Sequence, residues 1–388
     1  MSAVTYGLLV IGSGPAGVSA AAAFREHSPD GSILILSADP DMPYARPPLS
    51  KDYLQGDTDD IALHPPSWYD DRGIELRLGV AADKLDADGH TVTAGARRFE
   101  YRKLVLANGA TPVPLPVPGG ARARQLRSAG DAAALRSAAA TAKSAVVIGA
   151  GFIGCEAAAS LAVQGLSVTI VAPDRAPQAK RLGEDAGGRL RALVQDTGAR
   201  FLGGVTVNGI DNDGVRLDDG TTITADLILA ATGAAPQSGL AEAAGLEICQ
   251  SRVVVDSAMR TSAPDVFAAG DVALADNETT GRHLAVEHWQ DADDQGAIAG
   301  TAAAGGAAVW DSVPGFWSTI GEATIKYHAW GDGYERARVV ARDGGGFTVW
   351  YSNRNEEVVG VLTHHADEDY DAGEQLISRR SPLTPHIR

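Results

Sequence analysis

One block of this sequence occurs twice, and that duplication constrains the fold more than anything else in the chain. LVIGSGPAGVSAAAAF at residues 9–24 aligns with VVIGAGFIGCEAAASL at residues 146–161. Each copy is a run of strand formers, then GxGxxG, then an alanine-rich stretch with helical character. A longer likeness follows each block. GIELRLGVAADKLDADGHTVTAGARRFEYRKLVLANGATP (residues 73–112) has the layout of GARFLGGVTVNGIDNDGVRLDDGTTITADLILAATGAAP (residues 198–236). In both, a strand leads into a hairpin marked by Asp-Gly turns, and then into an apolar strand ending near Gly. The chain therefore contains two domains built on one plan.

A lone GxGxxG is weak evidence, but both copies follow a strand and open a helix, which is the context a dinucleotide-binding turn requires. Gly12 and Gly149 make the tight turn. Gly14 and Gly151 let a pyrophosphate approach the backbone, and Gly17 and Gly154 let the helix pack on its strand. Free N–H groups and the positive end of the helix dipole then face the phosphates. An acid is expected near the end of each second strand to bind a ribose hydroxyl. Asp39 fills that place in the first copy, whereas Ala172 stands there in the second. Asp174, Arg175, Lys180 and Arg181 lie close by. Asp174 suits NADH and an arginine suits the extra phosphate of NADPH. Such loop cations are as commonly plain surface charges, so both donors stay open.

The composition excludes other classes. With 388 residues, 45% of them apolar, the chain can bury a large core in two or three domains. A formal charge of −16 disfavours nucleic acid and anionic membrane as partners. The apolar run at residues 8–24 is interrupted by glycines and a proline and has no basic residues before it. It reads as strand and helix, not as an export signal or membrane span, so the cytoplasm is the expected location. Cys155 and Cys249 are the only cysteines. They make no CxxC pair, and no metal-ligand spacing is present. His364-His365 reads as a surface feature at a strand end.

Three further stretches stand out. PYARPPLSK (residues 43–51) sets two cations, Arg46 and Lys51, around a backbone stiffened by prolines. In TSAPDVFAAGDVA, Val266, Phe267 and Ala268 read as a buried strand ending at the turn Gly270-Asp271. From residue 313 onward, ATIKYHAWG, RARVVARD, GFTVWYS and EVVGVLTHH read as short alternating strands, and DEDYDAGEQLISRR as a terminal helix. The expected organisation is a split first dinucleotide domain, residues 1–112 and 241–312. A second occupies residues 113–240, entered through the linker PVPLPVPGG, and a C-terminal α+β domain occupies residues 313–388.

Taken together, these motifs carry a family likeness. The chain resembles the FAD-containing ferredoxin reductases coupled to oxygenases, of the putidaredoxin reductase and rubredoxin reductase type, with apoptosis-inducing factor as a distant relative. GSGPAG, RPPLSK, GAGFIGCE, AATG, AAGDV, EHWQDADDQG and PGFWS occur in that order along almost the whole chain, and RPPLSK is the most discriminating. The resemblance implies an α/β, glutathione-reductase-like fold with two tandem Rossmann-like domains, the first for FAD and the second for NADH or NADPH. It puts Gly12, Gly14, Pro15, Ala16, Gly17 and Asp39 on the FAD adenosine and pyrophosphate. Arg46, Lys51 and Ala107 stand beside the FAD, and Gly270 and Asp271 at its ribityl chain. Glu287, His288 and Trp289 match the cofactor-binding segment after GDV, and Trp317 matches an aromatic beside the isoalloxazine. Gly149, Gly151, Phe152, Ile153, Gly154, Glu156, Arg175 and Gly233 match the nicotinamide-dinucleotide site. Lys51, Glu156 and Trp317 are the candidate catalytic residues; no residue is assigned to a metal. Asn108 and Asp291 depart from the family's usual Thr and Asn, and Ala172 from its ribose-binding Glu.

The likeness also implies a reaction. A pinned ammonium at Lys51 favours reduced flavin, which carries negative charge. Related flavoenzymes that reduce disulfides or peroxides carry a redox cysteine near the flavin, and this chain has Leu49-Ser50-Lys51 in that region. Cys155 reads as structural. Electrons therefore leave to an external acceptor, an iron–sulfur protein such as a ferredoxin or rubredoxin, one at a time. The competing readings are an NAD(P)H oxidase, a quinone or nitro reductase, and a redox signalling protein like apoptosis-inducing factor. A basic patch at Arg175, Arg181, Arg379 and Arg380 is the expected docking surface for an acidic partner, and the C-terminal domain the expected surface for docking or for a homodimer.

Overall fold

The duplicated block folds twice into the same strand, turn and helix. The structure is a computed structural model and describes residues 4–383. It divides into two units: residues 4–45, 62–111 and 235–314 form the first, and residues 46–61, 112–234 and 315–383 the second.

In the first unit the strand Thr5–Ile11 lies at the centre of a parallel sheet. Ile33–Leu36 pairs on one side and Arg97–Leu106 on the other. Ile74–Arg77 extends the sheet beyond Ile33–Leu36, and Val266–Ala268 beyond Arg97–Leu106. The central strands are unbroken apolar runs because both faces of the sheet are covered. Leu8, Leu9, Val10, Leu34 and Ile35 are wholly buried, each contributing roughly 1.5–3 kcal/mol. The first half of Arg97–Leu106 also pairs antiparallel with Thr91–Ala94, which pairs with Lys84–Asp86. This is the hairpin expected from its Asp-Gly signals. A second sheet joins Ile248–Cys249, Arg252–Val255, Ala273–Asn277 and Arg282–Leu284 in that order.

The first fingerprint helix, Pro15–His27, packs on the long helix Trp289–Ala303 at backbone distance. A Cβ on Gly296 would stand 2.2 Å from the carbonyl oxygen of Ala16, and one on Gly300 2.1 Å from that of Ala20. Glycine at i and i+4 on one helix, facing alanine at i and i+4 on the other, is what permits this approach.

The second unit repeats the plan. Its parallel sheet runs Arg200–Gly203, Ser167–Ala172, Ser144–Ile148, Leu227–Ala230. The helix Phe152–Val163 follows the fingerprint, and Glu184–Asp196 precedes the edge strand. Ser128 caps the helix Ala129–Ala139 in a reciprocal capping box with Asp131. One difference separates the copies. Where the first has a single ten-residue strand, the second has two, Thr222–Ile223 and Leu227–Ala230. Between them, the Asp226 carboxylate accepts from the backbone N–H groups of Lys143 and Ser144, at 2.8 and 3.1 Å. A residue tied to the neighbouring strand's start cannot continue a straight hairpin arm.

The C-terminal strands form a five-stranded antiparallel sheet in the order Gly315–Ile320, Ala323–Ala329, Val358–His364, Phe347–Ser352, Arg336–Ala341, followed by the helix Asp367–Ser378. Gly315–Ile320 was legible only as the motif PGFWS, not as a strand. The expectation for His364 is corrected. It is 7% exposed, with Nδ1 2.8 Å from the carbonyl oxygen of Thr324, because the strand end on which it sits is covered by its own sheet neighbours. Among the described residues, no helix is long and apolar enough to cross a membrane.

Candidate functional site

The two fingerprint turns have nearly the same geometry. Gly12 and Gly149 both adopt φ +109, and a Cβ at either would meet a carbonyl oxygen, of Ala107 at 2.2 Å or Ala231 at 2.3 Å. A Cβ on Gly17 would stand 2.0 Å from the oxygen of Gly12, and one on Gly154 2.2 Å from that of Gly149. The middle glycines behave differently. Gly14 has nothing within 4 Å of its Cβ position, and Gly151 has only the Nε2 of Gln178, at 3.8 Å. The outer glycines are thus demanded by the protein's own packing, and the middle ones open onto free space at a helix N-terminus. No side chain caps either helix, and neither first turn carries an acid. This is the arrangement that receives a pyrophosphate.

Other first-unit candidates gather at the carboxyl ends of the same sheet. Asp39 lies just past Ile33–Leu36. Its carboxylate accepts from the Tyr44 hydroxyl at 2.6 Å and from the Asp41 backbone at 3.1 Å. Ala107 follows Arg97–Leu106 and is buried. The next residue, Asn108, donates to the carbonyl of Gln237, while its buried Oδ1 has no protein partner. Gly270 opens the 3₁₀ turn Gly270–Val272, anchored by its N–H to Oε1 of the buried Gln295 at 2.9 Å. Asp271 is half-buried on that turn. The residues present fit FAD on two counts, the open space over Gly14 and the unsatisfied acceptor of Asn108.

Arg252 was not anticipated. Its Nε donates to the carbonyl oxygen of Asp271 at 3.2 Å, and its Nη2 pairs with Glu287. It therefore ties two of the candidate residues together. His288 shares a 3.0 Å hydrogen bond with the buried Asp291, which gives the acid at this position a partner. Trp289 begins the long helix with its buried Nε1 unpartnered.

In the second unit the stiff segment does not leave its cations in solvent. Pro47–Ser50 is a 3₁₀ turn and Asp52–Gln55 a short helix. Lys51 Nζ lies 2.8 Å from Oε2 of Glu156 and donates to the Pro47 carbonyl at 2.8 Å. Ser50 Oγ donates to the same Oε2 at 2.5 Å, and Ser318 Oγ to Oε1 at 2.5 Å. Glu156 is 5% exposed, so these donors replace the water that a buried carboxylate loses. One helix face continues the grip. Ser160 donates to the Ser50 carbonyl at 2.8 Å and accepts from Gln55 at 2.9 Å, and Gln164 donates to the Leu54 carbonyl at 3.1 Å. Positions 156, 160 and 164 recur at i, i+4 and i+8, a polar stripe in an otherwise apolar helix. That stripe was the overlooked sequence signal for Ser160 and Gln164.

Arg46 donates to the Arg127 carbonyl at 2.8 Å. Trp317 lies on Gly315–Ile320 and is 46% exposed. Its neighbours Phe316 and Ser318 point the other way, onto Phe152 and Glu156 one helical turn apart, with the Phe152 and Phe316 rings 4.7 Å apart. Ile153 is exposed, and Gly233 has a φ of +100 with open space at its Cβ position. Ala172 is buried, whereas Asp174 and Arg175 are exposed. Arg175 and Arg191 flank a cavity of about 470 Å³ at the carboxyl end of the edge strand, with Gly203 and Gly204 beneath. Of the four arginines expected to form a basic patch, all are exposed. Arg181 sits over the ring of Tyr327 at 5.5 Å. Among the described residues, no cluster of three or more His, Cys, Asp or Glu side chains could hold a metal.

Cys155 is 1% exposed on the second fingerprint helix, and burial pushes its thiol up to about 12. Cys249 is exposed. Thiolate is the reactive form. One thiol per chain is therefore expected to react with a disulfide reagent at neutral pH in native protein, and both after denaturation. Two reactive native thiols would place Cys155 outside the core.

Residues 6–296 match the model of the pyridine nucleotide-disulphide oxidoreductase family. Rhodocoxin reductase of Rhodococcus erythropolis is 34% identical, covering 97% of this chain and 91% of its own. The ferredoxin reductase subunit of 5,5'-dehydrodivanillate O-demethylase from Sphingobium sp. is also 34% identical, covering 96% and 93%. A solved structure of the covalent putidaredoxin reductase–putidaredoxin complex matches with a TM-score of 0.92 at 28% identity, covering 98% of this chain and 95% of that one. The chain belongs to the pyridine nucleotide-disulphide oxidoreductase family, in its ferredoxin reductase branch.

Proposed function

We propose that this chain is an FAD-dependent reductase that takes electrons from NAD(P)H and delivers them singly to a ferredoxin- or rubredoxin-type iron–sulfur protein serving an oxygenase in the cytoplasm. One observation carries the reading: two fingerprint turns each stand open at their middle glycine, in a chain with no thiol pair to take electrons onward. The first turn, with Asp39 and Asp271, binds FAD; the second, with Gly151, Glu156 and Arg175, binds the nicotinamide dinucleotide. Residues 1–112 and 241–312, 113–240 and 313–388 serve as FAD, NAD(P) and C-terminal domains.

Bound FAD supplies the conversion of a two-electron donor into single electrons. The protein supplies orientation and charge. The Gly14 and Gly151 turns would hold the pyrophosphates, and Glu156 fixes the Lys51 ammonium in one position, a charge that would favour reduced flavin. The iron–sulfur acceptor is supported by the relatives, one the ferredoxin reductase subunit of an O-demethylase and another solved bound to putidaredoxin.

Anaerobic spectral titration tests the reading. Purified yellow protein should bleach with NADH or NADPH and pass electrons to an added [2Fe–2S] ferredoxin or rubredoxin far faster than to air. Protein that bleaches but is reoxidised faster by oxygen than by either iron–sulfur protein is an oxidase.

The donor follows from the second site. Ala172 presents no carboxylate to repel a ribose phosphate, and Arg175 and Arg191 line the adjoining cavity. The reading is therefore that NADPH is accepted alongside NADH. Arg175→Ala is expected to lower kcat/KM for NADPH about tenfold, the loss of one charge-assisted contact, and that for NADH less than about twofold. Equal losses for both donors would remove Arg175 from the phosphate site.

A further inference from the structure

We infer that Ser318 is a positioning residue for the Lys51–Glu156 pair, so that the C-terminal sheet sets where the ammonium points. The inference rests on the reading above, in which Lys51 serves the flavin.

The geometry is specific. Glu156 has two carboxylate oxygens. Oε2 takes both cationic Lys51, at 2.8 Å, and Ser50, at 2.5 Å, from the stiff segment. Oε1 takes Ser318, at 2.5 Å, from a strand 162 residues away in sequence. A carboxylate with one oxygen bound can rotate about its last bond and exchange oxygens. A carboxylate bound at both cannot without breaking contacts on each side. Ser318 thus fixes the plane of the carboxylate, and that plane fixes the direction from which Lys51 approaches.

Ser318 is itself held. It is 1% exposed and sits in register opposite Ile325 in the antiparallel pair Gly315–Ile320 with Ala323–Ala329. One helical turn toward the fingerprint, the Phe152 and Phe316 rings meet edge to face at 4.7 Å. The strand is therefore seated on the fingerprint helix at two points four residues apart. Water has little access to Oε1 at such burial, so no solvent molecule replaces the hydroxyl once it is removed.

Ser318→Ala, Ser318→Thr and Ser318→Val, compared with Lys51→Met as FAD-loaded holoenzymes, test the inference. In Ser318→Ala the rate of flavin reduction at saturating NADH should fall about tenfold, the usual effect of losing one hydrogen bond to a charged group, with KM changed less than about twofold. The flavin midpoint potential should move negative, in the same direction as in Lys51→Met but by less. Ser318→Thr, which keeps the hydroxyl, should recover wild-type rate and potential to within about threefold. A merely structural role would lower Tm in Ser318→Ala and leave the potential where it was, and that result overturns the inference. Should Ser318→Ala fail to fold, Ser318→Val has the shape of the threonine variant without a donor, and a wild-type potential in that variant is equally fatal. If Lys51→Met itself leaves the potential unmoved, the reading of Lys51 fails. If Lys51→Met shifts the potential and Ser318→Ala does not, the inference alone fails.

Discussion

Gly14→Val is expected to yield folded, colourless protein. Gly14 has φ −74 and ψ −177, an extended conformation open to any residue, and its Cβ position meets no atom within 4 Å. A valine there collides with nothing in the protein and fills only the space over the helix N-terminus. Melting of the apoprotein should shift by no more than about 1 °C, less than about 1 kcal/mol for a chain of this size. FAD should fail to bind on reconstitution. Gly17→Ala, a smaller change, should do more damage. Its methyl would stand 2.0 Å from the Gly12 oxygen, a backbone atom at the tightest point of the turn. Overpacking of this kind costs about 1–3 kcal/mol or more, lowering the apoprotein Tm by several degrees. Flavin absorbance after reconstitution and apoprotein melting separate the two variants. A yellow Gly14→Val protein would mean that no pyrophosphate lies over that residue.

Glu156→Ala should lose both stability and turnover. The substitution strips Lys51 of its carboxylate and leaves the Ser50 and Ser318 hydroxyls without their acceptor. Breaking a buried pair by deleting one member costs about 3–5 kcal/mol. Lys51 keeps 13% of its side-chain surface and the Pro47 carbonyl, so the lower end applies. A fall in Tm of about 4 °C follows, at roughly 1.2 °C per kcal/mol for a chain of this length. Flavin reduction should slow about a hundredfold, because ammonium and helix lose their fixed relation. Glu156→Gln should retain much of the stability, since an amide oxygen still accepts, yet lose most of the rate with the charge. Wild-type reduction kinetics in Glu156→Ala would show that the pair is packing alone.

Much of this site could be read in the sequence because its parts are local. A glycine turn between a strand and a helix is specified by neighbours, and both fingerprints were recognisable from six residues each. The terminal strands were likewise carried by period-two alternation. Contacts between distant segments were not recognisable. Ser318 and Arg252 look like ordinary strand residues, and their partners lie at positions 156, 271 and 287, brought near only by the fold. Lys51 was singled out for rigidity, but its ion pair with Glu156 depends on packing across 105 residues of chain. His364 failed for a related reason, since burial at a strand end depends on the strands beside it and not on the His-His pair itself.

The backbone-close crossing at Gly296 and Gly300 also governs how the protein is made. The sheet of the first unit waits for Val266–Ala268, and its fingerprint helix waits for Trp289–Ala303 to emerge from the ribosome. By then the four parallel strands between residues 144 and 230 have long been synthesised. During synthesis the four-stranded parallel sheet of the second unit can therefore form before the sheet of the first is complete.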